Sequence, residues 1–193
     1  YKNTVMVFLS DNGGPTENNG AINAPFNGGK GILLEGGIRI PFVISYPEKL
    51  KEGIYKNPIT SLDLMPTFVE LAGGKINKKD KLDGVNIFPY VNKEIQGLPH
   101  QTMMWRFTIS AGIRKGSWKL VRLPDRLPLL FNLDNDPSEQ NNVALENLDL
   151  VKSMLKELGG WDVSTPHILF LEGARWKRNQ LDLYEKEYQL EQP

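Results

Sequence analysis

The chain has 193 residues, 40% of them hydrophobic and 24% charged, an ordinary globular composition with room for one sizeable domain or two small ones. Lys plus Arg and Asp plus Glu each count 23, so the formal charge is zero and gives no general electrostatic ground for binding nucleic acid or an anionic membrane surface. There is no cysteine, which excludes disulfides, thiolate metal sites and a Cys nucleophile within the chain. Its two histidines, His100 and His167, argue against a multi-histidine zinc or iron site, so any metal should be a hard cation held by oxygen.

Val5 to Leu9 is continuous, apolar and β-rich, the pattern of a strand buried on both faces. The chain opens at Tyr1 without methionine, and this core strand follows almost at once. An upstream portion is therefore expected to precede it. The strand ends at Ser10-Asp11-Asn12-Gly13-Gly14-Pro15, a dense turn signal. Residues 18–37 are polar, glycine-rich and irregular, the kind of long loop that tends to carry function. Pro41 to Tyr46 reads as a second buried strand. Ser61 to Ala72 reads as a helix capped by Ser61 or Asp63, with Leu62, Met65, Val69 and Ala72 at helical spacing and Gly73-Gly74 as its stop.

Beyond Pro99 the texture changes to short strands: Met103–Phe107, Ala111–Arg114, Trp118–Leu123 and Leu129–Leu133. Their spacing predicts an antiparallel meander. A helix over about Leu148–Leu158 should stop at Gly159-Gly160, and an amphipathic helix should span about Ala174–Gln189. The four tryptophans, Trp105, Trp118, Trp161 and Trp176, read as core anchors. No long apolar run of about 20 residues is present to cross a membrane. The expected architecture is α/β. Residues 1–97 form part of a mixed, mostly parallel sheet with helices, and residues 98–193 a four-stranded antiparallel sheet with helices.

Several residues could carry chemistry. Asp11 and Asn12 stand where a strand ends, the usual place for ligands in α/β sheets. A carboxylate beside an amide oxygen suits Ca²⁺ or Mg²⁺, while an Asx turn accounts for the same pair without any ion. In Asn27-Gly28-Gly29-Lys30-Gly31, glycines allow close backbone approach to an anion and Lys30 offers a positive charge, but a flexible loop with an exposed lysine fits equally. It is not a P-loop, because Ala24 and Gly31 stand where Gly and Ser or Thr are needed. Glu35 and Arg39 could pair to fix the loop, a structural role. His100, Arg106 and Arg126 are candidate substrate contacts. Asp134 and Asp136 precede Pro137 and read as a turn.

The order of these segments is more specific than any one of them. Ser10-Asp11-Asn12-Gly13-Gly14, Gly28-Gly29-Lys30-Gly31, Glu35-Gly36-Gly37-Ile38-Arg39-Ile40-Pro41 and Ser61-Leu62-Asp63-Leu64-Met65-Pro66-Thr67 follow in series. Leu82-Asp83-Gly84-Val85, Gly112-Ile113-Arg114-Lys115-Gly116-Ser117-Trp118-Lys119-Leu120 and Asp136-Pro137-Ser138-Glu139 continue it. Over about residues 4–160 the series resembles the second half of the type I (arylsulfatase-like) sulfatases of the alkaline phosphatase superfamily.

The resemblance implies a sulfuric ester hydrolase. Asp11 and Asn12 would be two calcium ligands, Lys30 the catalytic lysine on the substrate's sulfate, and Glu35 and Arg39 supports. The remaining parts would lie upstream: further calcium ligands and a formylglycine nucleophile that is absent from this chain, which alone would be inactive. It also implies an exported or periplasmic enzyme acting on a sulfate ester such as a sulfated carbohydrate, while the neutral charge and the lack of a long apolar run lead to the expectation of neither nucleic acid nor membrane as partner. A phosphonate or phosphodiester hydrolase of the same superfamily, and a non-catalytic calcium- or carbohydrate-binding module, are the other readings.

Overall fold

A computed structural model describes residues 1–166, 169 and 172–187. The chain is α/β, as expected, but it does not divide into the contiguous halves 1–97 and 98–193. One compact unit joins Tyr1–Phe8 to Val43–Gln101, and the other joins Leu9–Phe42, with the short helices α1 (Thr16–Asn19) and α2 (Glu35–Ile38), to Thr102–Pro193. The glycine-rich stretch thus belongs with the C-terminal sheet, because its apolar core residues Ile32, Leu33 and Leu34 bury against that sheet and not against the early strands.

Strands β1 (Met6–Leu9) and β2 (Phe42–Ser45), which apart from Leu9 and Phe42 lie in the first unit, form a two-stranded sheet. The expectation of burial on both faces is corrected here. Val5 and Ile44 pack around Tyr46, Ile87 and Phe88, whereas Phe8 is 70% and Val43 59% exposed. Both strands have the composition for two covered faces, and the described residues cover one.

The predicted helix at Ser61 begins as a 3₁₀ turn, Ser61–Asp63, before α3 (Leu64–Leu71). Its cap is Thr60, not Ser61 or Asp63: Asp63 Oδ2 accepts from the Thr60 backbone N–H at 2.8 Å, closing a capping box. The predicted apolar stripe is also displaced, since Pro66 and Thr67 face inward while Leu62 and Met65 are exposed. The inward face is set by polar ties. Asp63 Oδ1 accepts from Val85 N–H at 2.8 Å, and Thr67 Oγ1 from Ile87 N–H at 3.1 Å. These bonds draw α4 (Phe88–Val91) onto α3, where Phe88 meets Tyr46 edge to face at 6.1 Å.

In the second unit the meander is as expected: β3 (Thr102–Phe107), β4 (Ser110–Lys115), β5 (Trp118–Arg122) and β6 (Leu129–Asn132), antiparallel in that order. Neighbouring residues of β5 and β6 point to opposite faces. Leu120 and Leu130 join Ala111 and Ile113 beneath a helix, α5 (Leu148–Ser164), while Val121 and Phe131 join Ile32, Leu33, Leu34 and Tyr184 on the other side.

Helix α5 does not stop at Gly159-Gly160. Each glycine costs about 1 kcal/mol relative to Ala in a helix interior. Beyond them, Trp161 packs on the core under β4 and Asp162 pairs with Arg106 at 2.7 Å and with Arg122 at 3.0 Å, and these contacts carry the helix on. Helix α6 (Ala174–Asp182) passes into a π turn at Leu183–Glu187, and the expected end at Gln189 lies outside the described residues, as does His167. Trp105, Trp118 and Trp161 pack on cores; Trp176 is 44% exposed and joins no core cluster among the described residues.

On the Val121 face of β5 lies Lys119, fully buried, its ammonium 2.9 Å from Glu35 Oε1 and 2.8 Å from Glu139 Oε1. Glu35 opens the short helix α2 (Glu35–Ile38), and its backbone N–H donates to Glu139 Oε2 at 2.5 Å. Burial pushes the Glu139 carboxyl above its ordinary value, while Lys119 pulls the other way. One carboxylate therefore caps the helix and neutralises the lysine that holds the helix's first residue.

Two outcomes follow from these pairs. Replacing Lys119 with Ala removes the cation in contact with both buried carboxylates, leaves Glu139 with no ion-pair partner among the described residues, and should cost about 3–5 kcal/mol of stability in urea denaturation. Burial raises the Asp162 carboxyl, but bonds from Arg122 and Arg106 outweigh burial and hold it below its ordinary 3.8. Its contribution is thus present above that value and lost as pH falls through the depressed folded-state value. An Asp162→Asn variant should be less stable than the parent at pH 6, and the gap should narrow as the solution is acidified.

Candidate sulfate and cation site

The turn after β1 and the glycine-rich loop are brought together by backbone. Gly13 N–H donates to Gly37 O at 2.9 Å, Lys30 N–H to Gly14 O at 3.3 Å and Gly36 N–H to Asn27 O at 2.7 Å. No side chain separates them. A Cβ on Gly29 would lie 2.7 Å from Gly14 O, and one on Gly13 would overlap the carbonyl of Gly36. The glycines that look like flexibility in the sequence are here the condition for two chain segments to touch. Asn23 fills the remaining gap with its amide, and Tyr184 Oη accepts the Leu33 N–H at 2.8 Å from the far side of the loop.

Asp11 and Lys30 are both exposed, and among the described residues neither charge has an ion-pair partner. Asn12 is half-buried, and its Nδ2 donates to Gly13 O at 2.8 Å; Ser10 Oγ donates to Asn12 O at 2.7 Å. With its nitrogen engaged, the Asn12 amide has its oxygen to offer a cation. The donors are of the right kind for Ca²⁺ or Mg²⁺. They are too few alone, since calcium takes roughly 6–8 oxygens, and among the described residues no group of three or more His, Cys, Asp or Glu could hold a metal ion. Asp11 and Asn12 fit as part of such a site.

The supporting pair is present but differently weighted from the sequence reading. Arg39 stands 3.7 Å from Glu35 Oε2, whereas Lys119, which sequence reasoning passed over, is far closer to the same carboxylate. Arg114 joins it at 3.9 Å, and the Arg39 guanidinium lies 4.5 Å from the centre of the Phe26 ring. Lys119 could not have been singled out from sequence: an alternating Trp-Lys-Leu-Val strand ordinarily turns its lysine to water.

The candidate substrate contacts are engaged elsewhere. His100 Nε2 lies 2.8 and 3.0 Å from the two oxygens of Asp63, inside the first unit. Arg106 Nη1 donates to Asp162 Oδ1 at 2.7 Å and its Nη2 to Pro166 O at 3.3 Å. Arg126 pairs with Glu185 at 2.5 Å. Asp136 accepts from the backbone N–H groups of Gln140 and Asn141, the turn that was expected of it.

Comparison with known proteins identifies the family. Residues 1–74 match the sulfatase family model. The chain is 29% identical over 187 residues to a sulfatase of Formosa agariphila, covering 83% of this chain and 33% of that protein. It is 27% identical to human arylsulfatase H, covering 80% and 35%. The crystal structure of Ps i-CgsB superposes with a TM-score of 0.80 at 32% identity, covering 97% of this chain and 44% of that one. The chain therefore spans about a third of the length of these curated relatives. By the match of residues 1–74 to the family model, by its relatives and by its fold, this chain belongs to the type I sulfatases, as part of their length.

Proposed function

We propose that this chain supplies part of the active site of a sulfuric ester hydrolase. The observation that carries the reading is the direct backbone seating of the Asp11–Gly14 turn on the Gly28–Lys30 loop, in a chain whose relatives over most of its length are sulfatases. Lys30 binds the sulfate group and offsets the negative charge that gathers on its oxygens as the ester bond to sulfur breaks. Asp11 and Asn12 contribute two oxygen ligands to a calcium ion, with magnesium as the other hard cation of suitable chemistry. When bound, that ion supplies electrostatic stabilisation of the same oxygens. The nucleophile, a formylglycine, and the remaining cation ligands come from sulfatase sequence outside these 193 residues.

The same region of sulfatase sequence is the proposed partner of the first unit's open apolar surfaces. Phe8 and Val43 on the sheet, and Leu62 and Met65 on and beside α3, have the composition of an interior and are exposed here.

For substrate we propose a sulfated carbohydrate. A second crystal structure of Ps i-CgsB, 33% identical to this chain with a TM-score of 0.79, holds k-i-k-neocarrahexaose. An exported or periplasmic location accompanies this reading. The fold is shared with the phosphonate monoester hydrolase of Agrobacterium radiobacter at 21% identity and a TM-score of 0.63, a likeness of architecture alone.

In a polypeptide joining this chain to the nucleophile-bearing region, Lys30→Ala should lower kcat on a sulfate ester by about 10²–10³-fold, the usual cost of removing one such donor. Circular dichroism should be unchanged, and turnover equal to that of the parent would refute the role. Parallel assays with a sulfate and a phosphonate ester should show preference for the sulfate.

A further inference from the structure

Asn23 lies outside every motif read from the sequence, yet its side chain makes three hydrogen bonds to the two segments of the site. Its Oδ1 accepts the Gly14 N–H at 2.9 Å; its Nδ2 donates to Gly14 O at 2.9 Å and to Gly28 O at 3.0 Å. Both amide hydrogens and one oxygen lone pair are thus committed to main chain. The bonds to Gly14 mimic a β-ladder pair, and the bond to Gly28 reaches the loop two residues before Lys30. Gly14 O also accepts the Lys30 N–H, so one carbonyl gathers Asn23 and the lysine's own backbone.

We infer that Asn23 is a positioning residue that locks the Asp11–Gly14 turn onto the Gly28–Lys30 loop, so that the oxygen donors and the Lys30 ammonium are delivered as one unit. The inference rests on the sulfatase reading of these two segments. The residue touches neither ion nor sulfate in this scheme. It acts through the main chain, by fixing where each segment sits relative to the other. The need for it is physical. Both segments are glycine-rich, and glycine backbones lose the most conformational freedom on ordering. Local opening is easiest where few contacts hold a segment, and a third group bonded to both segments adds contacts there. An amide is the side chain that fits, because the cleft presents one donor and two acceptors. A carboxylate of equal shape would set negative charge against the Gly14 and Gly28 carbonyls.

Asn23→Asp tests this in two ways. In the 193-residue chain, hydrogen exchange at the Gly14 and Lys30 amides should quicken at least 10-fold, while the amides of β4 and β5 keep their protection. In the polypeptide joined to the nucleophile-bearing region, kcat should fall at least 10-fold with calcium saturating, and the calcium concentration giving half of the maximal thermal shift should rise. Asn23→Ala, which removes the bonds without adding charge, should move every readout in the same direction by less.

Unchanged exchange at Gly14 and Lys30, or protection lost equally throughout the sheet, would overturn the inference. Its failure is separable from that of the sulfatase reading. If the clamp alone is wrong, Lys30→Ala still shows its steep loss of kcat while Asn23→Asp turns over normally. If the reading is wrong, Lys30→Ala keeps its turnover.

Discussion

The second unit depends on a buried lysine between two buried carboxylates. Lys119 has no exposure to solvent, and an ammonium in an apolar interior is tolerable only with opposite charge and hydrogen-bonding partners at contact distance. Glu35 and Glu139 meet that demand from opposite directions in the sequence, one at the start of α2 and the other in the turn after β6. Glu139 sits at φ 54°, a left-handed backbone that non-glycine residues seldom adopt. Its carboxylate nevertheless also accepts the Glu35 N–H, so the strained position serves two groups at once, that amide and the Lys119 ammonium. Removing Lys119 leaves the Glu139 carboxylate without a cation at contact distance, and removing either carboxylate leaves the lysine with only the other, so each member of the cluster depends on the rest.

That constraint explains why the glycine-rich stretch belongs to the C-terminal sheet. Ile32, Leu33 and Leu34 bury on the Val121 face of the sheet, Glu35 follows into the charged cluster, and Tyr184 holds the Leu33 amide. The loop carrying Lys30 is thereby anchored on its C-terminal side by apolar burial and charge. On its N-terminal side it is held by main-chain bonds and Asn23. A loop built of glycines gains its order from its surroundings. The antiparallel sheet, which carries none of the proposed catalytic groups, is in this sense part of the site's support.

The fold was legible wherever local pattern and tertiary demand coincided. The four-strand meander came from short β-rich runs separated by turns, and its register follows from the two-residue alternation of apolar side chains. Where they conflicted, the local rule lost. Gly159-Gly160 reads as a helix stop, but Trp161 and Asp162 gain more from packing and pairing beyond it than the glycines cost. Leu62 and Met65 read as the buried stripe of a helix, but Asp63 and Thr67 are satisfied only inward, because each holds a backbone N–H of residues 85–87. Polar groups with obligatory partners overruled apolar periodicity.

The sequence by itself determined the chemistry on offer. Oxygen donors at Asp11 and Asn12, a glycine-flanked cation at Lys30 and the absence of thiols follow from residue identity and spacing, and so does the family resemblance their order carries. Only the tertiary structure decided which partner each polar group meets. His100 and Arg106, plausible as substrate contacts, are held by Asp63 and Asp162, while Lys119 and Asn23, unremarked in one dimension, hold the site's loops. The reason is that a polar side chain's role is fixed by its partners, and these partners lie 37, 56, 84 and 9 residues away along the chain, beyond the reach of any local pattern.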